Sequence, residues 1–150
     1  MAHFEESRGS FTITTDPEKQ DAEAIYRYLS GAYWAKNRPR EMVERSLKNS
    51  LCFGLFDAGK QIGLARVISD FATFAYLCDV YVLDAYQGKG LGTWLMQAVM
   101  SHPDLQNLRR WMLATRDAHA LYRKSGFTEL VSPERWMELF TPHPEPREVQ

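Results

Sequence analysis

Three alternating glycines dominate the chemistry that this sequence can offer. They sit in Val80-Tyr81-Val82-Leu83-Asp84-Ala85-Tyr86-Gln87-Gly88-Lys89-Gly90-Leu91-Gly92-Thr93-Trp94-Leu95. A β-type run ends in a short polar turn, the glycines follow, and an amphipathic helix begins at once. Bare backbone N–H groups at the positive end of a helix make a seat for a phosphate or pyrophosphate, with about 0.3–1 kcal/mol of favourable potential per charge. Two familiar anion-binding patterns fail on named residues. The dinucleotide fingerprint G-x-G-x-x-G needs a third glycine where Thr93 stands. The phosphate loop G-x-x-x-x-G-K-[ST] needs a glycine where Leu83 stands and a hydroxyl residue where Gly90 follows Lys89. The pattern [QR]-x-x-G-x-[GA] is satisfied by Gln87 to Gly92. The alternative for these glycines is a tight βα turn that binds nothing.

The elements that must position this turn alternate along the chain. Phe11 to Thr14 reads as a strand. Asp16-Pro17 reads as a helix start, with Ala22, Ile25, Tyr26 and Leu29 at helical spacing. Pro39 opens a second short helix through Met42, Val43 and Leu47. Leu51 to Phe56 and Gln61 to Ser69 form a hairpin around Asp57-Ala58-Gly59-Lys60. Phe74 to Leu83 is the next strand, and the helix after the glycines presents Leu91, Trp94, Leu95, Ala98 and Val99 on one face. Trp111 to Thr115 is a further strand, and Asp117 can cap a short helix through Leu121 and Tyr122. Phe127 to Val131 and Trp136 to Phe140 read as closing strands. Residues 1–140 are then one domain, and the tail of residues 141–150, with Pro142, Pro144 and Pro146, is expected to be extended or disordered. The expected fold class is α+β: a mixed sheet with helices on both faces, hairpins first and a strand–helix–strand crossover in the middle.

Composition bounds the function. With 150 residues the chain suits one domain. A formal net charge of -1 supplies no basic field for nucleic acid or a membrane surface. Cys52 and Cys78 lie in apolar strand-like runs and read as buried free thiols, suited to a reducing cytosol. Met1 to Ser10 lacks the apolar core of a secretory signal, and no apolar run approaches membrane-spanning length, so a cytoplasmic protein is expected.

A second motif joins the glycine turn. Ala118-His119-Ala120-Leu121-Tyr122-Arg123-Lys124-Ser125-Gly126-Phe127 resembles A-x-x-L-Y-x-x-x-G-F, and Val82 to Gly92 resembles V-x-P-x-Y-R-G-x-G-[IL]-G, with Asp84 in place of the proline and Gln87 in place of the arginine. Both motifs, with one strand between them, belong to the GNAT superfamily of Gcn5-related N-acetyltransferases, which the chain resembles from Phe11 to Phe140 in element order. The resemblance implies a three-layer fold with a mostly antiparallel central sheet of about six to seven strands. It implies an acetyl-CoA-dependent N-acetyltransferase that moves an acetyl group directly to a primary amine of a small molecule. A non-catalytic acyl-CoA-binding module and acetylation of a protein or peptide amine are the alternatives.

The resemblance also assigns residues. Gln87, Gly88, Lys89, Gly90, Leu91, Gly92 and Thr93 match the pyrophosphate seat. Val80, Tyr81 and Val82 match the strand whose backbone pairs with the pantetheine arm and polarises the thioester carbonyl. Thr115 stands where many relatives carry an asparagine near that arm. Tyr122 matches the tyrosine that protonates the leaving thiolate, its alternative being a core aromatic.

The acceptor amine, with a pKa of about 10, must lose a proton before it attacks. Strand alternation puts Leu77, Asp79 and Tyr81 on one face and Cys78, Val80 and Val82 on the other, the valine face being the helix-packed one. Asp79 then points to the cleft, for amine recognition or as a base through water. Its alternative is a structural ion pair, for instance with Arg66. His119 is a weaker candidate base. Tyr33, Trp34, Phe71 and Phe74 could line an acceptor pocket or pack in the core. Lys36, Arg38 and Arg40 could meet an anionic group or be solvated surface charge. The expected partner is a small-molecule amine, not nucleic acid or a membrane, and a homodimer stays open.

Overall fold

The computed structural model describes residues 3–144, which form one six-stranded sheet in the spatial order β1-β2-β3-β4-β5-β6. The strands are β1 (Glu5–Arg8), β2 (Phe11–Thr14), β3 (Leu51–Asp57), β4 (Lys60–Ser69), β5 (Phe74–Val82) and β6 (Arg110–Leu113). All pairings are antiparallel except the last, where β6 runs parallel to β5. The helices are α1 (Ala22–Leu29), α2 (Arg40–Lys48), α3 (Leu91–Ser101) and α4 (His119–Arg123). This is the expected α+β architecture with a mostly antiparallel mixed sheet.

Two apolar layers flank the sheet. Ile25 and Leu29 of α1 and Val43 of α2 bury against Cys52, Leu64 and Tyr81 on one face. Leu91, Trp94, Leu95, Ala98 and Val99 of α3 bury against Phe53, Leu55, Val67 and Leu77 on the other, which is the helix face read from the sequence. No helix among the described residues is long and apolar enough to cross a membrane.

Several boundaries differ from expectation. β1 was not anticipated, because its four residues are all exposed and carry no apolar alternation. The first helix starts late: Asp16 and Pro17 lie in a turn, and Asp21 is the residue whose carboxylate accepts from the Ala24 N–H at the helix start. Asp117 does not cap α4, which starts after Ala118 without a side-chain cap; just before it the Thr115 hydroxyl accepts from the Ala118 N–H at 3.0 Å. The closing strands are absent: 127–131 and 136–140 pair with no strand, although their residue types suit one. Residues 141–144 carry neither helix nor strand, and the rest of the proline-rich tail lies outside the described residues.

The largest departure lies inside β5. Cys78 pairs with Arg66 and Tyr81 with Leu64, so two residues of β5 stand across from Ala65 alone. This β-bulge holds Asp79 at φ +51°, a conformation aspartate tolerates better than a β-branched residue would. Strict alternation therefore fails here. Leu77 faces the α3 layer, whereas Tyr81 faces the α1–α2 layer together with Asp79, whose partners come from that side. Val80 and Val82 pack toward α3, as expected of the valine face.

Candidate active site

Beyond the bulge, β5 and β6 part. Their pairing ends at Leu77 opposite Leu113, so the segment 80–82 has no strand beside it on the β6 side. The chain leaves β6 and turns into α4, which leaves a cleft of about 740 Å³ between that free edge, the glycine turn and α4. Val80, Tyr81, Val82, Gln87, Gly88, Gly90, Leu91, Gly92, Thr93 and Tyr122 line it.

The turn is built locally. Residues 84–86 form one 3-10 turn after Leu83, and the Gln87 amide donates to the Val82 carbonyl at 3.1 Å. Gly88 and Gly90 adopt φ +82° and +77°, the left-handed region that costs other residues about 1–2 kcal/mol. Gly90 is the residue before α3, so the N–H groups of Leu91, Gly92 and Thr93 open the helix without intrahelical partners. Gly92 is helical, and a Cβ there would meet nothing within 4 Å. Neither backbone conformation nor internal packing demands a glycine at that point. An open surface at a helix N-terminus, lined by unpartnered N–H groups, fits the diphosphate of a coenzyme.

Tyr122 is 8% exposed, at the end of α4 that faces the cleft. Burial, helped by the nearby Tyr33 and Asp117, pushes its phenol up to about 12, so the hydroxyl keeps its proton at neutral pH. Its ring packs edge-on against Phe127 with centroids 6.2 Å apart.

Across the cleft stands an aromatic wall. Tyr33 and Trp34 are 47% and 37% exposed and meet edge-to-face at 5.2 Å, which places both on the cleft and not in the core. Tyr28 stacks on Tyr81 with centroids 3.7 Å apart. Sequence reasoning missed Tyr28, although it lies three residues after the buried Ile25 and so on the sheet-facing side of α1. It also missed Arg116, whose guanidinium lies 3.8 Å above the Tyr33 ring and whose N–H donates to the Tyr33 hydroxyl at 3.1 Å.

Asp79 does not reach the cleft. Its side chain is 1% exposed. One oxygen accepts from Trp34 Nε1 at 2.8 Å; the other accepts from Arg38 Nη1 at 2.8 Å and Arg66 Nε at 2.9 Å. Burial favours the neutral acid, but Arg66 and Arg38 outweigh it and hold the carboxyl below its ordinary value. A carboxylate with both oxygens committed to cations and an indole is an ion-pair centre. The alternative with Arg66 is the one realised, enlarged by Arg38.

Other candidates move as well. Phe74 sits at the opposite end of β5, beside Arg110, and does not line the cleft. Thr115 and His119 line a neighbouring recess, and the Thr115 hydroxyl is used by the Ala118 N–H. The Lys89 ammonium packs 5.6 Å from the Tyr86 ring and lies outside the cleft lining. Arg38 is spent on Asp79, and Arg40 on Glu23 and the Tyr26 ring, so neither offers charge to an acceptor.

Comparison with known proteins decides the family. The model of the GNAT acetyltransferase family matches residues 13–127. The chain belongs to that family. This GNAT chain is 34% identical to FG08082 of Gibberella zeae, a proposed acetyltransferase, over 79% of either sequence. Among solved structures, a GNAT-family protein from Xanthomonas campestris pv. campestris superposes with a TM-score of 0.86 at 50% identity, covering 89% of this chain and 94% of that one. A Clostridium acetobutylicum protein crystallised with acetyl-CoA shares the fold at a TM-score of 0.65 and 17% identity, over 87% of this chain and 94% of that one. The GNAT motifs thus lie on the cleft just described: the glycine run at the start of α3 and the A-x-x-L-Y motif on α4.

Proposed function

We propose that this GNAT chain is an acetyl-CoA-dependent N-acetyltransferase that acetylates a primary amine of a small molecule by direct transfer. One observation carries the reading: the glycine turn, the free edge at 80–82 and the buried Tyr122 phenol line one cleft, opposite an aromatic wall. Acetyl-CoA, when bound, supplies a thioester whose acyl group is activated toward an amine. The N–H groups of Leu91, Gly92 and Thr93 and the α3 dipole would hold its diphosphate. The backbone edge at 80–82 would pair with the extended arm and orient the carbonyl. Tyr122 Oη holds a proton at neutral pH and would hand it, or a hydrogen bond, to the departing thiolate.

Tyr28, Tyr33 and Trp34 would take the acceptor. Their rings suit the carbon skeleton and the ammonium of a small amine, and Arg116 sets a cation beside them for an anionic substituent. Room for both donor arm and acceptor within about 740 Å³ favours a small molecule over a folded protein. Asp117 is the one carboxylate among the described residues that line the cleft, and it is exposed. The amine proton therefore leaves toward solvent, with Asp117 beside its path.

A thiol-release screen across small amines, with the acetylated product checked by mass, tests the reading. Turnover with at least one amine is expected. Acetyl-CoA binding without transfer to any amine would favour a binding module, and no binding would defeat the reading altogether.

A further inference from the structure

A second cavity, of about 440 Å³, lies at the other end of the sheet from the glycine turn. Ser50, Leu51 and Cys52 line it at the start of β3. Leu51 stands level with Leu77 through Val67, whereas Leu55 stands level with Val82, at the catalytic cleft, through Gly63. A volume of this order is that of small-molecule sites, about 300–1,000 Å³. Ala22 of α1 and Leu47 of α2 complete an apolar interior with Leu51 and Cys52. One polar group enters it. His102, just after α3, is 7% exposed and packs its imidazole against the Phe4 and Phe53 rings. Its Nδ1 accepts from the Asp104 N–H at 3.1 Å, and burial holds the ring below its ordinary pKa. The neutral ring therefore carries its proton on Nε2. No side-chain hydrogen bond or ion pair among the described residues uses that N–H. No fully buried side-chain nitrogen or oxygen among the described residues lacks a partner, so Nε2 is reached from open space, and His102 lines this cavity.

The lining selects a class of ligand. A buried N–H donor asks for an acceptor. The interior offers no charge to pair with: His102 is neutral, and burial pushes the Cys52 thiol up to about 12. The charged side chains Glu44, Lys48 and Asp104 are exposed, two anions against one cation. An ion would lose its hydration there without a counterion inside. The floor also leads elsewhere. The Ser50 hydroxyl accepts from Arg66 Nη1 at 3.0 Å, Arg66 Nε donates to Asp79 at 2.9 Å, and Asp79 accepts from Trp34 Nε1 on the acceptor wall at 2.8 Å. We propose that this cavity is a second binding site, for a small uncharged molecule with a carbonyl or similar oxygen acceptor, and that its occupancy is transmitted to the acceptor wall through Ser50, Arg66 and Asp79. A contiguous hydrogen-bonded chain between two sites is the physical requirement for such coupling.

The test needs no turnover, so it stands or falls apart from the catalytic reading. Benzamide is titrated into the isotope-labelled full chain, with proton–nitrogen NMR reading the His102 ring, the Leu51 amide and the Trp34 indole. The His102 and Leu51 signals should move and saturate, and the Trp34 indole should follow the same curve. Toluene, which has no acceptor, and benzoate, which is charged, should bind at least about tenfold more weakly. His102→Phe keeps a ring between Phe4 and Phe53 and should bring benzamide down to the level of toluene, read at Leu51. Ala22→Trp fills the cavity from α1 and should abolish the shifts. Ser50→Ala should keep the His102 shift and lose the Trp34 one. An unmoved His102 signal, toluene or benzoate as tight as benzamide, benzamide binding that survives either H102F or A22W, or a Trp34 signal that stays still in the wild type or still moves in S50A overturns the proposal.

Discussion

Asp79→Asn is the substitution that most sharply separates a base from a clamp. Asparagine keeps the shape and removes the charge. The guanidiniums of Arg38 and Arg66, 13% and 10% exposed, then lose their shared counterion. Removing one partner of a buried ion pair costs about 3–5 kcal/mol, and the residual hydration of both arginines argues for the lower end, about 3 kcal/mol. At about 2–4 °C per kcal/mol for a domain of this size, Tm should fall by about 6–12 °C. Urea unfolding at neutral pH, with calorimetry beside it, reads the loss. The pH dependence has a fixed sign. The native carboxyl lies below its ordinary value, so the clamp's contribution is complete above the unfolded pKa of about 3.9 and disappears as pH falls through the lower native value. The gap between wild type and variant should therefore narrow on acidification. An asparagine variant within about 0.5 kcal/mol of wild type at neutral pH would refute the clamp. So would loss of one limb of the pH–rate profile without loss of stability, which is how a true base would behave.

Tyr122→Phe should lower kcat on the order of a hundredfold while calorimetric affinity for acetyl-CoA stays unchanged; equal turnover would end the role given to this phenol. Because burial pushes Tyr122 up to about 12, the wild-type pH–rate profile should show no limb from it below about pH 10. Gly92→Ala should stabilise the fold by up to about 1 kcal/mol, since a Cβ there clashes with nothing, yet weaken acetyl-CoA binding; melting and calorimetry should move in opposite directions. Gly63→Ala should cost about 1–3 kcal/mol in urea unfolding, because its Cβ would stand 2.7 Å from the Tyr81 carbonyl oxygen. Burial pushes the Cys52 and Cys78 thiols up to about 12 and about 11, so alkylation of the native protein at pH 8, followed by mass, should be slow and should accelerate on unfolding.

What the sequence could reveal was local. The glycine turn, the Asp57–Lys60 hairpin and the α3 face depend on neighbours within a few positions, and each is where periodicity and turn chemistry put it. The Asp79 cluster was half visible. Arg66 is 13 positions away across a hairpin, whereas Trp34 and Arg38 lie 45 and 41 positions earlier, and only the packing of the loop after α1 onto β5 brings them together. The face assignment of β5 failed at Asp79, because a bulge is set by register against the neighbouring strand, which one strand's own pattern does not encode. The residues 127–131 and 136–140 misled for a related reason: composition reports that a segment suits a strand, not that a partner edge lies within the same chain.

The bulge in β5 works as a frameshift in space. Upstream of it, odd-numbered side chains serve the α3 layer; downstream, even-numbered ones do. Adding or deleting one residue between Leu77 and Tyr81 would undo that offset. It would drive Tyr81 into the α3 layer, strip Tyr28 of its stacking partner and pull the clamp away from Arg38. This stretch should therefore keep its length even where Cys78 or Val80 changes type, with Asp79 held in place by its clamp. An alignment of functional relatives should show substitutions between Leu77 and Tyr81 but no gap.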